Sequence, residues 1–112
     1  NDYDESPLVE VSSGNTYEGY MGGDDYTDWY VLNNVRSGQK VSVNVQPDSF
    51  DVGLGLGDDT LDAQVYVNNN RGVGQFESNE VTFTRDGTAY IYMRAYNVQH
   101  LRGPYTFTVN VQ

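Results

Sequence analysis

The strongest constraint on what this chain can fold into is the period of its apolar residues, which is two along most of the sequence and helical almost nowhere. Side chains on a strand alternate between its faces, so a period of two marks segments with one buried and one exposed face. From Lys40 to Gln46, Val41, Val43 and Val45 alternate with Ser42 and Asn44. The last segment repeats the pattern, with Tyr105, Phe107, Val109 and Val111 set against Thr106, Thr108 and Asn110. Two further β-rich runs, Glu80 to Arg85 and Ala89 to Ala95, flank Asp86-Gly87, a dipeptide that predicts a hairpin. Strands are also predicted over Thr16 to Met21, Asp28 to Val35 and Ala63 to Asn68. Val52 to Leu56 is predicted as a further strand, weaker because glycines interrupt it.

Turn formers fall between the runs: Ser13-Gly14-Asn15, Gly22-Gly23, Ser37-Gly38, Gly57-Asp58-Asp59 and Asn68-Asn69-Asn70. About seven to nine short strands, spaced by roughly 8–12 residues, predict an all-β fold, an antiparallel β-sandwich. Residues 1–7 read as an extended lead-in and residues 8–112 as one sandwich domain. A chain that opens on Asn1 is expected to be a piece of a longer precursor.

Composition removes several classes of function. The chain carries 16 acidic and 6 basic residues, a formal charge of −10. Nucleic acid is not an expected partner, because phosphate contacts need clustered Lys and Arg. No run approaches the roughly 18 apolar residues of a bilayer span, so membrane insertion is not expected either. With no cysteine there is neither a disulfide nor thiol chemistry. The one histidine, His100, has no nucleophile motif around it, cannot form a His-rich zinc site alone, and no phosphate-binding glycine loop occurs. The chain is therefore expected not to be an enzyme.

Two acidic groups stand apart. One is Asn1, Asp2, Asp4 and Glu5; the other runs Gly23-Asp24-Asp25-Tyr26-Thr27-Asp28-Trp29-Tyr30. Carboxylates this close repel one another unless solvent or a cation relieves them. Calcium takes about 6–8 oxygen ligands and suits such groups, while simple solvation of an acidic loop is the other reading. Asp58, Asp59 and Asp62 form a third cluster, read first as a solvated hairpin loop, since it lacks the spacing of a calcium loop, with a second ion as the alternative.

At these same residues the sequence resembles a known family. Asn1-Asp2, the Asp-rich stretch ending Asp28-Trp29-Tyr30, Gly38 ahead of the valine strand, Asp51 to Leu56, Gly87-Thr88-Ala89-Tyr90-Ile91-Tyr92 and Gly103-Pro104-Tyr105 resemble a bacterial pre-peptidase C-terminal domain. The collagen-binding domains of clostridial collagenases belong to the same family. The resemblance implies a jelly-roll sandwich appended to a secreted protease or other extracellular hydrolase, so a parent catalytic domain is an expected partner. It also implies a structural calcium ion tying the lead-in to the loop before the aromatic strand. Asn1 and Asp2 match the lead-in ligands; Asp25 and Asp28 match the loop ligands, with Asp24 replacing Asp25 if the register slips by one.

Alternation within Ala89 to Tyr96 separates two faces. Ala89, Ile91, Met93 and Ala95 are predicted to enter the core, which leaves Tyr90, Tyr92, Arg94 and Tyr96 on the other side. These tyrosines either stack across the sheet as ordinary strand residues or form a flat platform for an extended polymer. The resemblance favours the platform, with a collagen-like protein or a polysaccharide as the extracellular partner and His100, Leu101 and Arg102 at its rim. Arg94 departs from the collagen-binding pattern, which has an aromatic there. Two rival readings are a subunit of a cell-surface layer or filament, and a C-terminal secretion extension removed on maturation.

Overall fold

A computed structural model describes residues 9–21, 27–58, 65–67, 74–96 and 103–112, with the backbone alone for 65–67 and 96. Nine strands run through these residues: β1 (Val9–Glu10), β2 (Thr16–Met21), β3 (Thr27–Val35), β4 (Lys40–Pro47), β5 (Asp51–Asp58), β6 (Val65–Val67), β7 (Glu77–Thr82), β8 (Gly87–Tyr96) and β9 (Gly103–Val111). They form two sheets, one in the order β1-β3-β8-β5-β6 and the other β2-β9-β4-β7. Consecutive strands alternate between the sheets except for β5 and β6, the strand order of a jelly roll. The predicted β-sandwich is therefore the observed one.

The period of two does its work in β3, β4, β8 and β9. Val41, Val43 and Val45 of β4 face Leu54, Leu56, Ile91 and Met93 of the other sheet in one buried cluster, with Phe107 and Val109 from β9. The alternate positions Asn44, Gln46, Thr106 and Asn110 are exposed. Ala89, Ile91, Met93 and Ala95 are all buried, as the alternation in β8 predicts.

Two local expectations are corrected, and a third, the weak strand over Val52 to Leu56, is extended to Asp51–Asp58. Asp86-Gly87 does not close a hairpin, because β7 pairs with β4 while β8 pairs with β3 and β5, in the opposite sheet. The residues between these strands form an arch, anchored by buried Phe83 and by the Asp86 Oδ1 that accepts from the Ser37 N–H at 2.8 Å. Gly57 and Asp58 do not begin a solvated loop; both belong to β5, and Asp58 is buried opposite Ala89. The glycines of β5 do not interrupt it either. Gly53, Gly55 and Gly57 pair with Arg94, Tyr92 and Tyr90, so each position without a side chain lies beside a large one on the outer face. A large side chain next to a glycine compensates for the contact that glycine lacks. All eight residues of β5 are buried.

One pairing breaks the antiparallel rule. β1 runs parallel to β3, with Val9 opposite Tyr30 and Glu10 opposite Val31, and the Val11 N–H donates to the Val31 carbonyl at 2.8 Å. Both strands thus enter the sheet from the same end. At its far end β3 bulges between Leu32 and Val35, with Asn34 at φ 64°. Asn tolerates this left-handed conformation better than most residues. Neighbouring Asn33 secures the bulge, donating to Glu10 at 2.7 Å and accepting from Thr88 at 3.1 Å.

Candidate functional site: a buried carboxylate and an aromatic face

Of the expected calcium ligands, Asn1, Asp2, Asp24 and Asp25 lie outside the described residues; Asp28 lies within them. The sequence puts Asp28 at the end of an acidic loop. In the fold it is the second residue of β3, points between the sheets, and is 3% exposed. A carboxylate so placed needs hydrogen bonds or an opposite charge, because burial favours its neutral form.

Tyr105 supplies one such bond. Its hydroxyl donates to Asp28 Oδ2, and its oxygen lies 2.5 Å from the Tyr30 hydroxyl. Since the Tyr105 proton points at Asp28, Tyr30 must be the donor in the second bond, giving a directed chain from Tyr30 through Tyr105 to Asp28. Burial, then the neighbouring Tyr30 and Asp28, push the Tyr105 phenol far above its ordinary value, so it remains a protonated donor. The ring occupies its position because β2 presents Gly19 directly opposite it. A Cβ at Gly19 would lie 2.7 Å from Cε1 of Tyr105 and closer still to the hydroxyl-bearing carbon. Phe50 and Phe107 pack on the same ring at centroid separations of 6.2 and 6.1 Å.

Among the described residues no three acidic or histidine side chains converge as a metal site. Asp28 is thus a single buried carboxylate whose direction is set by the neutral Tyr105 phenol. Asp51 and Asp58 are the other buried carboxylates of the same sheet, at opposite ends of β5. Glu77 is buried at the start of β7, and Asn79 reaches across to donate to the Leu54 carbonyl at 3.1 Å.

The aromatic face lies on the outside of the sheet that carries Asp28. Tyr90 and Tyr92 are half-buried and Arg94 is exposed; for Tyr96 the backbone pairs with Asp51. His100, Leu101 and Arg102 lie outside the described residues, as do Asp59 and Asp62. Register adds a residue that alternation alone passes over: Trp29 of β3 sits opposite Tyr92, with ring centroids 4.6 Å apart and planes tilted by 42°. Tyr90 lies opposite Val31, and Arg94 opposite Thr27. The resulting patch is wider than the single-strand ridge that β8 predicts, and the rings are partly spent on packing.

The class this architecture defines is the jelly-roll β-sandwich. The fold is similar to the pre-peptidase C-terminal domain of a Bacillus anthracis collagenase, with a TM-score of 0.69 and 20% identity over 98% of this chain and 100% of that one. It is also similar to PliG of Aeromonas hydrophila, a periplasmic inhibitor of g-type lysozyme, at TM-score 0.64, 18% identity and coverage of 94% and 97%. CorA of Methylomicrobium album BG8, a surface-associated copper-binding protein, follows at TM-score 0.63, 5% identity and coverage of 94% and 98%. At such identities the likeness is one of fold, on which function is grafted separately. No family model matches the sequence, and no curated protein matches it.

Proposed function

We propose that this chain is a non-catalytic accessory domain of a secreted microbial hydrolase, with a protease as the favoured parent, stabilised by a structural calcium ion. The observation that carries this reading is Asp28: a buried carboxylate aimed by the Tyr30–Tyr105 chain, at the end of the sheet where β1 and β3 enter side by side. Asn1 and Asp2 precede one of these strands and Asp24 and Asp25 the other, so the chain order supplies further oxygen donors from both entering segments. Calcium bound by them would offset the charge of Asp28 and clamp the lead-in. Because the ion would bind only the folded chain, it would raise stability by mass action.

The patch of Tyr90, Tyr92, Arg94 and Trp29 is the proposed docking surface for an extended polymer, which would hold the parent enzyme at an insoluble substrate. A fold shared with periplasmic and surface proteins supports an extracellular setting. The test of calcium is thermal unfolding in calcium and in excess chelator. The melting temperature is expected to fall on chelation by several degrees, an amount typical of losing one to two kcal/mol from about a hundred residues. Identical melting in the two buffers rejects the ion. A second reading, inhibition of a secreted basic enzyme, is favoured by the charge of −10; an assay of g-type lysozyme with added domain decides it.

A further inference from the structure

The outer face of the second sheet has no role in the reading above, and its chemistry is unlike that of the aromatic face. Register places Thr16, Thr108, Asn44 and Ser78 in one row across all four strands, with Thr106 and Ser42 in the adjoining rows. These side chains are short and neutral, and each carries hydroxyl or amide groups that donate or accept. Formal charges stand at the margins, as Glu18 on the β2 edge and as Glu80 on the β7 edge, 3.6 Å from Lys40.

Two exposed aromatics flank one end of this floor. Tyr20 is 64% exposed on β2, and Phe76, 45% exposed, immediately precedes β7. Phe76 shares a shallow depression of about 330 Å³ with Asn44, Gln46, Thr106 and Thr108. A second, of about 400 Å³ and bordered by Ser42, Asn44, Ser78 and Glu80, adjoins it at Asn44. The segment leading into Phe76 is tied to β4, because Gln46 Nε2 donates to the Gly74 carbonyl at 2.8 Å as well as to the Pro47 carbonyl at 2.9 Å. Three inter-strand spacings separate the edges, so the face spans about 14 Å.

Charge selects the occupant. A chain of charge −10 repels a polyanion, and the floor offers no cation to hold one. Nor does the centre of the floor hold a carboxylate for a basic side chain. What fits is a neutral polymer whose groups both donate and accept along its length and whose rings present an apolar side to Phe76 and Tyr20. We propose that this face binds a short stretch of neutral polysaccharide, with Phe76 and Tyr20 as ring platforms and Asn44, Ser78, Thr106 and Thr108 as the hydrogen-bonding floor.

Native affinity electrophoresis of the whole chain tests this, with hydroxyethyl cellulose, laminarin, galactomannan and glycol chitin in the gel and polygalacturonate as the anionic control. At least one neutral glycan is expected to retard the protein. Phe76→Ala combined with Tyr20→Ala should weaken that retardation at least about tenfold, equivalent to about 1.4 kcal/mol. Thr106→Glu, at an exposed position, should do the same without disturbing the core, and it decides the matter should the double variant melt early. Arg36→Ala, at an exposed position in the turn between β3 and β4 and outside both faces, should leave retardation intact. Retardation by none of the four neutral glycans, by polygalacturonate alone, or by a route that Tyr92→Ala abolishes and Thr106→Glu does not, overturns the proposal.

Discussion

Gly19 and Tyr105 show how much of this fold rests on single side chains. A methyl group at Gly19 falls on the Tyr105 ring, and since the ring is wedged against Phe50 and Phe107 it has little room to retreat. Gly19→Ala is therefore expected to cost about 1–3 kcal/mol, the usual range for overpacking, read as a lower urea midpoint at unchanged slope. Tyr105→Phe keeps the ring and removes the hydroxyl, taking from Asp28 a donor and from Tyr30 an acceptor. A loss of about 1–3 kcal/mol is expected, as for buried groups deprived of a partner. The pH dependence follows from the raised phenol pKa. Above its ordinary value, about 10, the unfolded chain releases this proton while the folded chain keeps it. The stabilisation is thus complete below that pH and is lost as the pH climbs beyond it. Tyr105→Phe should flatten part of the alkaline decline in denaturant titrations; an unchanged decline would assign it to other groups.

Among the elements, β8 carries the most, since it is the strand between β3 and β5 and has a buried face and an aromatic outer face at once. On its outer face Tyr92 packs against Trp29 on one side and lies beside Gly55 on the other. Tyr92→Ala should accordingly have two effects. It should lower stability by about 1 kcal/mol through the lost ring pair, and it should reduce retention on insoluble collagen in a sedimentation assay. Lost stability with fully retained binding would make the ring a packing residue and nothing more. The edges of the sheets are managed differently from the centre. β1 contributes only two residues, and Asn33 and Thr88 brace the bulged end of β3. Asn79 ties β7 to β5 across the sandwich, close to buried Glu77.

At the scale of the whole molecule the dominant quantity is charge. Sixteen acidic residues against six basic ones repel each other in the compact state more than in the extended chain. Salt shortens the reach of this repulsion to about 10 Å at 0.1 M. The melting temperature in chelator is therefore expected to rise as sodium chloride goes from low to about 0.1 M, apart from any effect of calcium. A flat response would mean that the acidic groups are spread too widely to matter. Jelly-roll topology adds the other global feature: two outer faces of opposite character, one aromatic and one of hydroxyl and amide groups, on opposite sides of a single core.

The sequence alone determined the sandwich, because alternation in β3, β4, β8 and β9 states directly which side chains leave water, and burial is a property of the individual strand. It also determined which face of β8 carries Tyr90, Tyr92 and Arg94. Tertiary structure decided everything that depends on which strands meet. Asp86-Gly87 reads as a hairpin locally, yet it spans two sheets, since turn chemistry fixes the bend and not the destination. Gly53, Gly55 and Gly57 look like strand breakers until Arg94, Tyr92 and Tyr90 are brought beside them. Asp28, Tyr30 and Tyr105 form one chain although 75 residues separate the two tyrosines, and no local period encodes a contact between residues so far apart in sequence.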